Sequence, residues 1–212
     1  MTTTIERTDV PPVGSGFRTV ASLVRARAQE MPNAVAMREK DLGIWQEITW
    51  AELWERIRLA AHGLLALGVE PGDRVSIHSE DRPEWIILDF ATVAVRAITV
   101  GLYPTNPAAE VEYLLADSGS KIHLAEDQEQ ADKVMEVIDR LPDVQKIIHV
   151  EPRGFRAYRD DPRFIYWDDF LELGRRHAEE NPGAVERIMA EATADDVMTL
   201  VYTSGTTGPP KG

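Results

Sequence analysis

The sequence contains no cysteine, which removes disulfide staples, thiolate nucleophiles, cysteine-ligated zinc and iron–sulfur clusters together. It is also short of positive charge: 23 Lys and Arg stand against 36 Asp and Glu, a net charge of −13. A field of that sign repels polyanions, so no nucleic-acid partner is expected and any anion must be bound locally. Long apolar runs are missing too. The most apolar stretch, Trp85 to Val95, is interrupted by Asp89 and falls well short of the ~20 residues of a bilayer span. The first ten residues, MTTTIERTDV, have neither the basic start nor the apolar segment of a secretory signal. We therefore expect a cytoplasmic location.

What is present is a patterned globular chain, 43% hydrophobic before its 14 glycines are counted. Residues 1–16 read as a polar leader. Beyond them, Val20, Leu23, Val24 and Met31 share a helical face that Pro32 stops. Two β-prone runs, Ala34–Arg38 and Ile44–Ile48, flank a turn at residues 40–43 and suggest a hairpin. Thr49 with Glu52 makes a capping box, and Trp50, Leu53, Trp54, Ile57, Ala61, Leu64 and Leu65 then trace one apolar stripe as far as Gly68.

From there strands and helices alternate. Strands are expected at Arg74–His78, Ile98–Tyr103, Lys121–Ala125 and Lys146–Val150, and helices at Pro83–Val95, Ala108–Leu115 and Gln128–Leu141. The strands are nearly continuous in apolar or β-branched residues, as they are when helices cover both faces of a parallel sheet. The fold class is therefore α/β. Residues 151–166 break the pattern, helices at Asp168–Glu180 and Ala184–Ala192 follow, and a last strand is expected at Val197–Tyr202. Five histidines show no metal-ligand spacing, and we assign them to structural or surface roles.

The chemistry is concentrated in the last ten residues, TSGTTGPPKG. A polyphosphate needs many donors converging on its oxygens. The loop offers backbone N–H groups from Thr203 to Gly208 and hydroxyls from Thr203, Ser204, Thr206 and Thr207. Gly205 and Gly208 let the backbone approach a ligand closely. Pro209 and Pro210 restrict the exit without donating. Lys211, the one cation after Arg187, is the natural point charge for a terminal phosphate. Two prolines separate Gly208 from Lys211, so this is not a Walker A loop. Tyr202 stands where a nucleophile elbow around Ser204 needs glycine.

The loop resembles the phosphate-binding signature of the adenylate-forming enzymes, the superfamily of acyl-CoA synthetases, luciferases and peptide-synthetase adenylation domains. Residues 48–53 (ITWAEL), 67–75 (LGVEPGDRV) and 96–105 are similar to its N-terminal segments in order and spacing, so the resemblance covers about residues 17–212. Residues 101–107 (GLYPTNP), 110–115 (EVEYLL) and 117–118 (DS) resemble the long-chain fatty-acid branch.

The resemblance implies the N-terminal part of a large adenylate-forming domain and a two-step ligase. ATP and a fatty acid give an acyl-adenylate and pyrophosphate, and coenzyme A then displaces AMP. It implies that Thr203, Ser204, Gly205, Thr206, Thr207, Gly208 and Lys211 hold the β- and γ-phosphates, with Thr203 contacting Mg2+. The superfamily's adenosine-binding segments, acyl-pocket motifs and adenylation lysine lie beyond the signature. This chain is therefore expected to be an N-terminal portion, inactive alone. Amino-acid or aryl-acid adenylation, luciferase-like chemistry and a non-catalytic interaction module remain alternatives. Peripheral contact with a membrane stays open, since the sequence shows no basic amphipathic helix or lipidation signal.

Overall fold

The capping box at Thr49 forms as its spacing requires. In a computed structural model that describes residues 19–203 and 210–212, the Thr49 hydroxyl accepts from the Glu52 N–H at 3.3 Å, and the Glu52 carboxylate accepts from the Thr49 N–H at 2.8 Å. Helix α2 (Trp50–Ala66) starts there, after α1 (Val20–Glu30) and the antiparallel hairpin of β1 (Val35–Asp41) and β2 (Ile44–Thr49). The hairpin closes on two residues, Leu42 and Gly43, both at positive φ. The expected leader, residues 1–16, lies outside the described residues.

Alternation then builds a six-stranded sheet from β3 (Arg74–His78), β4 (Ile98–Leu102), β5 (Ser120–Ala125), β6 (Lys146–His149), β7 (Phe164–Tyr166) and β8 (Thr199–Leu200). Every pairing in it is parallel, and the order is β7-β6-β5-β3-β4-β8. Strand order reverses at β3, which lies between β4 and β5. The connecting helices are α3 (Pro83–Ala94), α4 (Ala108–Ser118) and α5 (Gln128–Val137), with α6 (Trp167–Glu180) and α7 (Ala184–Glu191) before β8.

Period-two alternation splits the core into two layers. Val75 and Ile77 face one layer with Ile57, Leu64, Leu88 and Phe170 from α2, α3 and α6. Val100 and Ile147 face the other with Val111 and Leu115 of α4 and Val134 of α5. Trp50, Trp54 and Trp85 pack against the first layer.

Three expectations are corrected. The final strand is two residues, Thr199–Leu200, because Val197 and Val201 are exposed and only residues 199 and 200 pair with β4. Helix α5 ends at Val137 and continues as a 3-10 turn, Ile138–Arg140. Residues 151–166 contain the edge strand β7 and a 3-10 turn, Phe155–Tyr158. Three-residue strands are too short to leave a readable alternation.

Helices α2 and α6 cross at contact distance through glycines. A Cβ on Gly174 would sit 2.0 Å from the Leu59 carbonyl oxygen, and one on Gly63 would sit 2.5 Å from the Phe170 ring. Helix propensity alone favours alanine over glycine by up to ~1 kcal/mol. The crossing reverses that sign, and Gly174→Ala is expected to destabilise by about 1–3 kcal/mol, as overpacking does. A rise in the urea midpoint on substitution would contradict it.

Candidate functional site: a pinned loop beyond the edge strand

The loop is positioned by the way β8 is held. Arg96 Nε lies 2.7 Å from Asp196 Oδ2, with Glu191 3.5 Å from the same guanidinium. The Thr199 hydroxyl donates to the Thr99 carbonyl at 3.0 Å. Arg96 itself has φ 59°, and its carbonyl accepts from the Gly72 N–H at 2.8 Å. One residue in an unfavourable conformation thus ties the end of α3 to the turn before β3 while its side chain anchors the approach to β8.

The chain leaves the sheet after Leu200 and comes back on itself where Lys211 meets Thr203. Thr203 and Lys211 exchange both backbone hydrogen bonds at 3.2 Å, an antiparallel bridge that closes the loop at its neck. Helix α4 pins the two sides. The Tyr202 hydroxyl donates to Asp117 Oδ2 at 2.7 Å, and the Tyr113 hydroxyl donates to the Pro210 carbonyl at 2.8 Å. Tyr113 and Asp117 are four residues apart, so both lie on one helix face. Burial, then the Asp117 carboxylate, push the Tyr202 phenol above its ordinary pKa and keep it a donor. Gly212 runs against the Tyr202 ring, where an added Cβ would come within 2.7 Å.

Of the residues expected to bind phosphate, Thr203 and Lys211 are brought together at the neck, and both are exposed. Ser204, Gly205, Thr206, Thr207 and Gly208 lie outside the described residues. Thr203 is also the residue expected to contact Mg2+. Its backbone groups are taken by Lys211, leaving the exposed hydroxyl to face a ligand. One neutral oxygen suits an ion that keeps waters and phosphate oxygens in the rest of its shell, so the residue fits such a role.

A groove of about 390 Å³ opens beside the neck, at the carboxyl ends of β3, β4 and β8. Trp85, Tyr103 and Tyr202 supply aromatic walls, and Gly101 forms an open floor. The Tyr103 turn is held by Asn106, whose side-chain oxygen accepts from the Tyr103 N–H at 2.7 Å and whose N–H donates to the Tyr103 carbonyl at 2.9 Å. The turn therefore serves both as a chain reversal and as a groove wall. The sequence reading missed Tyr113 and Asp117 as supports, although their i, i+4 spacing was visible.

Open α/β sheets usually take ligands where strand order reverses, here between β3 and β5. That crevice holds the Arg82 guanidinium, 2.6 Å from Glu84, 3.3 Å from Glu126 and 3.5 Å from Glu151. Glu126 also accepts from the Glu80 N–H at 2.7 Å. Three carboxylates around one guanidinium leave an excess of negative charge there. An anionic ligand is better served at the β8 edge, beside Lys211.

Sheet, neck and groove define an α/β protein with a Ser/Thr/Gly-rich loop pinned beyond the carboxyl end of an edge strand. The chain belongs to the AMP-binding enzyme family, whose model matches residues 24–212. It is 37% identical over 193 residues to the long-chain-fatty-acid–CoA ligase FadD15 of Mycobacterium tuberculosis, covering 91% of this chain and 30% of that protein. It is 30% identical over 216 residues to the long-chain-fatty-acid–CoA ligase ACSBG2 of Xenopus laevis, covering 98% of this chain and 27% of that one. The chain thus spans less than a third of the length of these curated relatives.

Among solved structures it matches an anthranilate CoA ligase, AuaEII, in complex with anthranoyl-AMP, with a TM-score of 0.75, 23% identity, 95% of this chain and 34% of that one. It also matches a Mycobacterium tuberculosis fatty acyl CoA synthetase, with a TM-score of 0.67, 25% identity, 91% of this chain and 33% of that one.

Proposed function

We propose that residues 17–212 supply the N-terminal part of the adenylate-forming domain of a long-chain fatty-acid–CoA ligase. In the first step a fatty-acid carboxylate oxygen attacks the α-phosphorus of ATP, and pyrophosphate leaves with the electrons of the cleaved P–O bond. In the second a CoA thiol attacks the acyl carbonyl, and AMP leaves. The observation that carries this reading is the neck, where Thr203 and Lys211 close a loop rich in hydroxyls and N–H groups.

In this reading the N–H groups of residues 204–208 and the hydroxyls of Thr203, Ser204, Thr206 and Thr207 hold the β- and γ-phosphates, the Thr203 N–H being engaged by the Lys211 carbonyl. Lys211 stabilises the charge that collects on departing pyrophosphate. Thr203 offers its hydroxyl to Mg2+, which would neutralise phosphate charge when bound. The backbone bridge fixes the spacing of Thr203 and Lys211 before substrate arrives, which lowers the ordering cost of binding.

The test is fatty-acid-dependent ATP–pyrophosphate exchange, run on the chain as it stands and on its reading frame continued past Gly212. Exchange with long-chain fatty acids in the longer form, and little with anthranilate or amino acids, is the expected result. Exchange driven only by aryl or amino acids would replace the fatty-acid assignment, and none with any carboxylate would remove the ligase reading.

A further inference from the structure

Strand β8 gives the neck little direction. Only Thr199 and Leu200 pair with β4, and the bridge between Thr203 and Lys211 stands apart from both sheets. Nothing in the sheet therefore fixes the roll of the neck about its own axis, and roll decides what the neck can bind. Directly opposed residues of an antiparallel pair project on the same face. The Thr203 hydroxyl and the Lys211 ammonium thus share one side of the neck and turn together, toward an anion or away from it.

Helix α4 supplies a fixed frame beside it. Val111, Leu114 and Leu115 are buried in the core. The Arg74 guanidinium clamps the end of the helix by donating to the Ser118 and Gly119 carbonyls. Arg140 holds its outer face through Glu112, at 2.6 Å. Against this frame Tyr113 donates to the Pro210 carbonyl on the returning side of the neck, and Asp117 accepts from Tyr202 on the outgoing side. A contact to one side alone would leave a hinge. One contact to each side removes the roll.

Neither contact does much for stability. Asp117 is exposed, and Tyr113 and Tyr202 are only partly buried, so water can replace each hydrogen bond at small net cost. Position is another matter, because displacing a binding group by an ångström costs far more in rate than in folding free energy.

We propose that Tyr113 and Asp117 are positioning residues which, by holding one side of the neck each, set its roll and aim Thr203 and Lys211 at one polyphosphate. The identity of that anion rests on the ligase reading.

The test is ATP–pyrophosphate exchange in the reading frame continued past Gly212, with the carboxylate that the parent protein uses, for Tyr113→Phe, Tyr202→Phe and the double variant. Phenylalanine keeps each ring and its packing on the core. Each single variant should raise the pyrophosphate KM by about tenfold and leave the carboxylate KM and the urea midpoint unchanged. Since loss of either contact already frees the roll, the double variant should be little worse than either single one, whereas independent contacts would multiply. Asp117→Asn, whose amide oxygen still accepts from Tyr202, should keep the parent KM, and Asp117→Ala should not.

A parent-like pyrophosphate KM in both phenylalanine variants overturns the proposal. So does a loss that follows the urea midpoint, raises both KM values alike or multiplies in the double variant. If the parent exchanges with no carboxylate, the ligase reading fails by itself, and titration of the chain with inorganic tripolyphosphate decides the positioning role. Binding about tenfold weaker in the phenylalanine variants supports it, and equal affinity, or no binding by the parent, overturns it.

Discussion

Replacing Lys211 with alanine is expected to lower acyl-adenylate formation in the longer reading frame by about 10²–10³, the scale of losing one preorganised transition-state stabiliser. The structure makes this a clean experiment. Lys211 contributes its N–H and carbonyl to the bridge with Thr203, and alanine keeps both, while the exposed side chain supports nothing else among the described residues. Stability should therefore move by less than ~0.5 kcal/mol, as at other surface positions. Lys211→Arg keeps the charge but not its compact shape, and should fall between the two. The readout is ATP–pyrophosphate exchange beside thermal unfolding. Wild-type exchange in Lys211→Ala would remove the lysine from the phosphate site, and a parallel collapse in stability would make its role structural.

The second large effect is acid destabilisation. His78 and His123 are both 0% exposed, on neighbouring strands of one sheet face, with ring centroids 5.7 Å apart. Ser76 links the column, its hydroxyl 3.1 Å from the Ile122 carbonyl and 2.8 Å from His123 Nδ1. Both contacts are satisfied when the hydroxyl donates to the carbonyl and the ring N–H donates to the hydroxyl. That leaves His123 Nε2 buried without a partner, as are both ring nitrogens of His78. Burial, with Lys133 nearby, lowers the His78 pKa to about 4, against the partial opposition of the Tyr103 backbone, Asp127 and Glu129. Burial, with His78 beside it, holds His123 well below the ordinary imidazole range.

A depressed histidine pKa means that the unfolded chain binds the proton more readily. The associated stability is complete above pH ~6.5 and is lost as pH falls toward the folded pKa, at up to ~1.4 kcal/mol per pH unit for each histidine. For His78 the loss reaches about 3 kcal/mol at pH 4, a large share of the ~5–15 kcal/mol typical of a domain. Buried Asp89, whose pKa is raised by burial, acts in the opposite direction above its ordinary pKa of 3.8. Urea titrations from pH 7.5 to 4.5 should show a steep decline that His78→Leu makes shallower. An unchanged slope in that variant would locate the proton uptake elsewhere.

Local rules were enough wherever a signal was carried by neighbours in sequence. The Thr49–Glu52 box and the apolar stripe of α2 needed only helical spacing. The hairpin needed only its β-prone runs and turn, although its strands extend to Asp41 and start at Ile44, tightening the turn to two residues. The family was legible because hydroxyls, glycines and a lysine at that spacing carry a resemblance with which the family match from 24 to 212 agrees.

Other features depended on pairings between distant residues. Strand β7 is three residues and exists because β6 offers it hydrogen bonds. Ser76, His78 and His123 look unremarkable in sequence and become a buried column only when β3 lies beside β5. Tyr113 and Asp117 support the loop because α4 passes beneath residues reached some 85–97 positions later. The sequence by itself determined the class of the elements, the α/β alternation and the family resemblance of the loop, since each follows from short-range periodicity and residue type. Tertiary structure alone decided strand order, the filling of the β3–β5 crevice by charge and the pinning of the neck, because each depends on which distant segments meet.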